Sequence, residues 1–210
     1  MYIDNYHYMK TIGFFGDSFC ESQKTDSWCV LLAEKLNAKI VNWGRGGASI
    51  WHTFMSFEKR IETDLVPDIN IFCWTEPYRL YHPSLPLAKG AVPIPGKDER
   101  IYKAADMYYV YLQDFKKDEL AYRYALQYFD QQVLSKVKKQ IVQMWSMRPF
   151  ELSGNETYIS LGSGTFIDES MLMFAWDGKP KQEKFDINLS NHMTSKQNQE
   201  WADKVFEKIK

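Results

Sequence analysis

A parallel α/β sheet is the fold class this sequence predicts, and three observations predict it. Short apolar runs recur along the chain at 11–15, 39–43, 69–74 and 140–145. Between them lie stretches with an apolar residue every three or four positions, the spacing of one helix face. Each apolar run stops at a loop rich in Gly, Ser, Asp, Thr or Pro. Parallel neighbours cannot be joined by a tight turn and need a crossover, usually a helix, so strands that alternate with helices build a parallel sheet.

The elements follow in order. Residues 11–15 lead into Gly16-Asp17-Ser18. A helix started by Asp26 or Ser27 carries Trp28, Leu31, Leu32 and Leu36 on one face. Residues 39–43 lead into Gly44-Arg45-Gly46-Gly47-Ala48-Ser49, and a second stripe follows at Ile50, Phe54, Phe57, Ile61 and Leu65, closed by Pro67. The third strand, Ile69 to Trp74, runs into Thr75-Glu76-Pro77. Residues 81–117 then hold Pro83, Pro86, Pro93 and Pro95 before a tyrosine-rich stretch. This insertion leaves from the C-terminal end of a strand, the edge where such sheets bind ligands. Long connections are usually functional or disordered, so it is expected to border the site and set substrate choice. A long helix carries Leu120, Phe129, Val133, Leu134 and Val137, and the fourth strand, Gln140 to Trp145, ends at Ser146-Met147-Arg148-Pro149. Residues 149–190 read as loop with one short helix around Asp168–Phe174. The last helix presents Trp201, Ala202, Val205, Phe206 and Ile209, with Thr194-Ser195-Lys196-Gln197 as its capping box.

Composition narrows the function classes. At 210 residues the chain is read as one domain, 1–210, with the insertion at about 81–117. A net charge of −1 gives no overall attraction to nucleic acid or to an anionic membrane. No apolar run approaches a transmembrane length, and the first residues lack the basic and apolar blocks of a signal peptide, so the expected location is cytoplasmic. Cys20, Cys29 and Cys73 are odd in number and form no Cys-x-x-Cys, which fits reduced thiols. His7, His52, His82 and His192 have no metal-ligand spacing, so neither a metal nor another cofactor is expected. The aromatic share, 16%, is concentrated between Tyr78 and Trp145. Most of these rings are expected in the core or on the surface, and some can line a groove with an apolar face and a polar tip.

Ser18 stands where a strand turns into the next element, a position that exposes a hydroxyl at the sheet edge. His192 lies in a polar loop beside a helix cap, away from any apolar stripe. Together, Gly16-Asp17-Ser18, Trp28 with its Leu-rich helix, Val41-Asn42-Trp43-Gly44-Arg45-Gly46-Gly47-Ala48-Ser49, a strand ending near residue 75, and His192 before the terminal helix resemble the SGNH/GDSL hydrolases in order and spacing. The resemblance implies a three-layer α/β/α sandwich around a parallel sheet (SGNH/flavodoxin-like). It implies a serine esterase or deacylase with Ser18 as nucleophile, His192 as general base, and the Ser18 and Gly47 backbone N–H groups in the oxyanion hole. The substrate expected is an ester on a small molecule or a carbohydrate, for example an acetyl group.

Two blocks depart from the pattern. Leu189 stands where the family has the Asp that orients the histidine, with Asp186 and Asn191 nearby. Trp74-Thr75-Glu76-Pro77-Tyr78-Arg79 replaces Gly-x-Asn-Asp, and a third block of this kind looks like those of phage-encoded members. Thr75 is then the expected oxyanion donor, since its hydroxyl can donate one hydrogen bond and Glu76 would bring negative charge. Arg79 either meets solvent or holds an anionic substrate group. The departures also admit a binding or structural protein with impaired chemistry on the same fold. Nucleotide binding through Gly44–Gly47 has little support, because neither Gly-x-Gly-x-x-Gly nor a P-loop lysine is present.

Overall fold

A computed structural model of the chain describes residues 9–148, 159–176 and 192–210. Five strands, β1 (Lys10–Gly16), β2 (Ala38–Asn42), β3 (Ile69–Trp74), β4 (Gln140–Trp145) and β5 (Thr165–Ser170), form one sheet in the order β2-β1-β3-β4-β5. Every neighbouring pair is parallel. All six residues of β3 are buried, which is why it reads as a continuous apolar run without alternation. This strand order reverses between β1 and β3, the point where doubly wound sheets open a crevice at their C-terminal edge.

The described residues also form the helices α1 (Trp28–Lys35), α2 (Ile50–Glu62), α3 (Glu99–Tyr111), α4 (Phe115–Gln132), α5 (Met171–Trp176) and α6 (Ser195–Ile209), of which α1, α5 and α6 pack on one face of the sheet and α2 and α4 on the other. Phe14 and Phe15 show how one strand feeds two cores, because successive side chains point to opposite faces. Phe14 packs with Trp28, Leu32, Trp201 and Val205 of α1 and α6. Phe15 packs with Phe57 of α2, Phe129 of α4, Phe72 and Trp74. In this second core Phe15, Phe54, Phe57, Phe72, Trp74 and Phe129 form one connected set of stacked and edge-on rings.

Three expectations are corrected. The segment read as a helix around Asp168–Phe174 is the strand β5 up to Ser170, followed by α5. As the edge strand, β5 needs few apolar residues, so Asp168 and Glu169 hid it from pattern reading. The second stripe stops at Glu62, because Asp64 adopts φ 53 and ends the helix, leaving Leu65 outside and 60% exposed. The long helix ends at Gln132. A separate 3₁₀ turn holds Leu134, and Leu120 faces solvent.

Residues 81–117 contain the helix α3 and a small core of their own, Leu85, Leu87, Tyr102, Ala105 and Tyr109. The segment is anchored at the C-terminal edge of the sheet. The Tyr109 hydroxyl donates to the Leu87 carbonyl at 2.6 Å, with the Tyr78 carbonyl as a second acceptor 2.9 Å away, and accepts the Leu80 N–H at 3.2 Å. Burial pushes the Tyr109 hydroxyl up to about 12, so it remains a donor.

Candidate active site

β1 delivers Ser18 to the C-terminal edge. At Gly16 a side chain has no room, since a Cβ would lie 2.5 Å from the Cys73 carbonyl oxygen of β3. Asp17 then caps a short 3₁₀ turn, Ser18–Cys20, its Oδ1 accepting from Phe19 N–H at 3.0 Å. The first residue of α1 pins the turn from one side, as Trp28 donates its indole N–H to the Phe19 carbonyl at 2.6 Å. The loop after β2 pins it from the other. There Gly44 N–H donates to the Cys20 carbonyl and Arg45 N–H to the Gly16 carbonyl, both at 2.9 Å. Gly44 lies so close to Cys20 Sγ and the Asp17 carbonyl that no Cβ fits. Ser18 is therefore half-buried on a turn fixed from three directions.

His192 arrives from the far end of the chain. The capping box of α6 is formed as expected: Thr194 Oγ1 accepts from Gln197 N–H, and Gln197 Oε1 accepts from Thr194 N–H. Asn198 Oδ1, one turn into α6, accepts from Trp28 N–H at 3.2 Å and ties this helix to the start of α1. The His192 ring centroid lies 5.1 Å from that of Phe19, the residue after Ser18. Ser18 and His192 line one cavity of about 570 Å³, together with Glu21, Trp28, Met193 and Asn198.

Arg79 occupies the crevice between β1 and β3. Its guanidinium lies 3.3 Å from Asp17 Oδ2, donates to Glu76 Oε1 at 3.1 Å, to the Ala48 carbonyl at 3.3 Å and to Met147 Sδ at 3.6 Å. Burial disfavours a charged guanidinium, but Asp17 and Glu76 outweigh it and hold Arg79 above its ordinary value. One side chain thus joins the turn that carries Ser18, the residue after Gly47, the third block and the end of β4. Removing one partner of such a buried pair costs about 3–5 kcal/mol, because the other charge is stranded. Three hydroxyls in this region, Ser49, Thr75 and Ser146, are buried without a hydrogen-bond partner among the described residues. The Thr75 carbonyl is held by the Tyr122 hydroxyl at 2.6 Å.

Burial pushes the thiols of Cys20 and Cys73 upward, so both are neutral and unreactive. Among the described residues no group of three or more His, Cys, Asp and Glu side chains is placed to hold a metal ion. No described helix is long and apolar enough to cross a membrane.

The esterase EstA of Pseudoalteromonas sp., solved as inhibited by monoethylphosphonate, matches this chain with a TM-score of 0.50 over 95% of this chain and 96% of its own, at 13% identity. The fold is that of the SGNH/GDSL hydrolases. A protein of Desulfitobacterium hafniense assigned to the lipolytic G-D-S-L family matches at a TM-score of 0.47 and 10% identity, covering 94% of this chain and 98% of that one. A GDSL-like lipase of Parabacteroides merdae matches at 0.45 and 15%, covering 96% and 97%. No protein-family model matches the chain, and no curated protein matches it in sequence.

Within this SGNH fold the candidate residues fall into two groups. Ser18 and His192 share the cavity. Gly47 and Thr75 do not line it; their chain neighbours Ala48 and Glu76 are both bound by Arg79. Gly47 takes φ +67, and Pro86 of the insertion sits where its Cβ would be. Asp186, Leu189 and Asn191 lie outside the described residues. Sequence reasoning missed the pairing of Arg79 with Asp17, because a lone arginine after a strand carries no signal of a partner so distant in sequence.

Proposed function

We propose that the chain is a serine esterase or deacylase of the SGNH type. The observation that carries this reading is that Ser18 and His192, from opposite ends of the sequence, line one cavity at the C-terminal edge of the sheet. In this reading Ser18 Oγ attacks the acyl carbon while His192 accepts its proton, since a serine hydroxyl is a weak nucleophile without a base. The oxyanion takes hydrogen bonds from the Ser18 and Gly47 backbone N–H groups, with the Thr75 hydroxyl in place of the family's asparagine. His192 then gives the proton to the departing alcohol, and a water repeats the sequence on the acyl-enzyme. Asp186 or Asn191 orients the imidazole. The alcohol portion of the substrate is a carbohydrate or similar polyol. In support, Trp51, Tyr78, Tyr81 and Tyr108 line a smaller pocket of about 190 Å³ beside Glu76 and Arg79, where ring faces and acceptors suit a hydroxylated ligand.

A fluorophosphonate probe tests the chemistry without knowledge of the substrate. Folded protein should label stoichiometrically at Ser18, and Ser18→Ala should not label. His192→Gln should slow labelling by about a hundredfold or more, the usual share of a general base. Folded wild-type protein that stays unlabelled supports the second reading, a binding protein on the same fold. That reading is favoured by Glu76, which stands in the third block and is engaged by Arg79.

A further inference from the structure

The open edge of the sheet carries a second feature that the serine chemistry does not use. A groove of about 490 Å³ runs between β2 and α2, beneath the loop that follows β2. It falls within the range of small-molecule sites, about 300–1,000 Å³. Arg45 and Lys59 line it, and no Asp or Glu does. Neither cation forms an ion pair among the described residues. The neighbouring cation differs: Arg60 donates to the Val41 carbonyl at 2.6 Å and is occupied.

Arg45 is also fixed in place. Its Nη1 donates to the Pro83 carbonyl at 2.9 Å and lies 3.1 Å from His52 Nε2. Both contacts use a single nitrogen, so the rest of the guanidinium fork has no partner among the described residues. Burial, and then the Arg45 charge, lower the affinity of His52 for a proton. The ring is therefore neutral near pH 7, and its Nε2 acts as an acceptor that orients Arg45. Tyr81 packs its ring 4.7 Å from His52 and closes the upper wall, while Ser56 adds a hydroxyl. A guanidinium held by two acceptors with its donors still available loses little entropy on binding, and a planar fork suits an oxyanion.

We propose that this groove binds the oxyanion group of a small anionic ligand, phosphate or carboxylate, with Arg45 as the fixed donor and Lys59 as the second charge. The proposal does not rest on the hydrolase reading, and it is tested on Ser18→Ala protein so that turnover plays no part. Inorganic phosphate is titrated at constant ionic strength, balanced with sodium chloride, and binding is followed by amide chemical shifts. Saturable shifts are expected for residues 42–45 and 52–59. Arg45→Gln and Lys59→Gln should each weaken binding by at least about tenfold, the measure of one hydrogen bond to a charged group. Lys103→Gln, the same charge change on the exposed face of α3, should leave it unchanged. Lys59 is exposed, so its variant is not expected to disturb the fold. Acetate in a parallel titration distinguishes the source: the tighter of the two anions names it. Shifts that do not saturate with either anion overturn the proposal, as does equal weakening by Lys59→Gln and Lys103→Gln.

Discussion

At the scale of single residues, the end of β3 is where the sequence leaves the motif pattern it otherwise resembles. Thr75 and Glu76 stand beside each other at the end of β3, yet their side chains meet different fates. Glu76 is spent on Arg79 at 3.1 Å, while the Thr75 hydroxyl is buried and lacks a partner among the described residues. An unsatisfied buried hydroxyl costs about 1–3 kcal/mol, which a protein retains where the group has another use. Once a substrate is found, Thr75→Val should cut turnover by at least about tenfold, below the hundredfold to thousandfold typical of a lost oxyanion donor. Its thermal midpoint should not fall. Full activity in Thr75→Val together with loss in Glu76→Gln would transfer the role to Glu76 and overturn this assignment. The pairing of Arg79 with Asp17 was not legible beforehand. The two residues are far apart in sequence, and only the adjacency of β1 and β3 brings them together.

At the scale of elements, the turn that carries Ser18 is held more by close backbone approach than by side-chain packing. Gly16 faces the Cys73 backbone across the β1–β3 pair, so a methyl group there must push the two strands apart. Gly16→Ala should destabilise the protein by about 1–3 kcal/mol, the range for overpacking a tight site. A urea titration reads this directly, and an unchanged midpoint would show that the turn is looser than the contacts imply. Helices with a full apolar stripe and a cap, such as α6, were legible because periodicity and capping are local. The strand β5 was not, because an edge strand can be polar, and only its pairing with β4 makes it a strand.

At the scale of the whole molecule, ionisable groups buried without charge link stability to pH. Burial raises the thiols of Cys20, Cys29 and Cys73 and the hydroxyls of Tyr109 and Tyr122 above their unfolded values. Each keeps its proton in the folded state at a pH where the unfolded chain has released it. Their contribution is therefore fully present below the unfolded thiol value, about 8.5, and is lost as pH rises beyond it. The urea midpoint should hold between about pH 7 and 8 and decline from about pH 9 upward. The decline should be shallower in Cys73→Ala. A midpoint flat to about pH 10.5 would contradict the burial of these groups.

By itself the sequence determined the parallel α/β class, four of the five strands to within about a residue, and the capped terminal helix. Those features are written locally, in periodicity, caps and the abrupt ends of apolar runs. Tertiary structure alone decided the strand order, the folding of 81–117 onto the loop that carries Gly47, the burial of Arg79 between two carboxylates, and the cationic groove beside β2. Each of these depends on which distant segments become neighbours. That is set by the summed packing of both faces of the sheet, a property no short stretch of sequence contains.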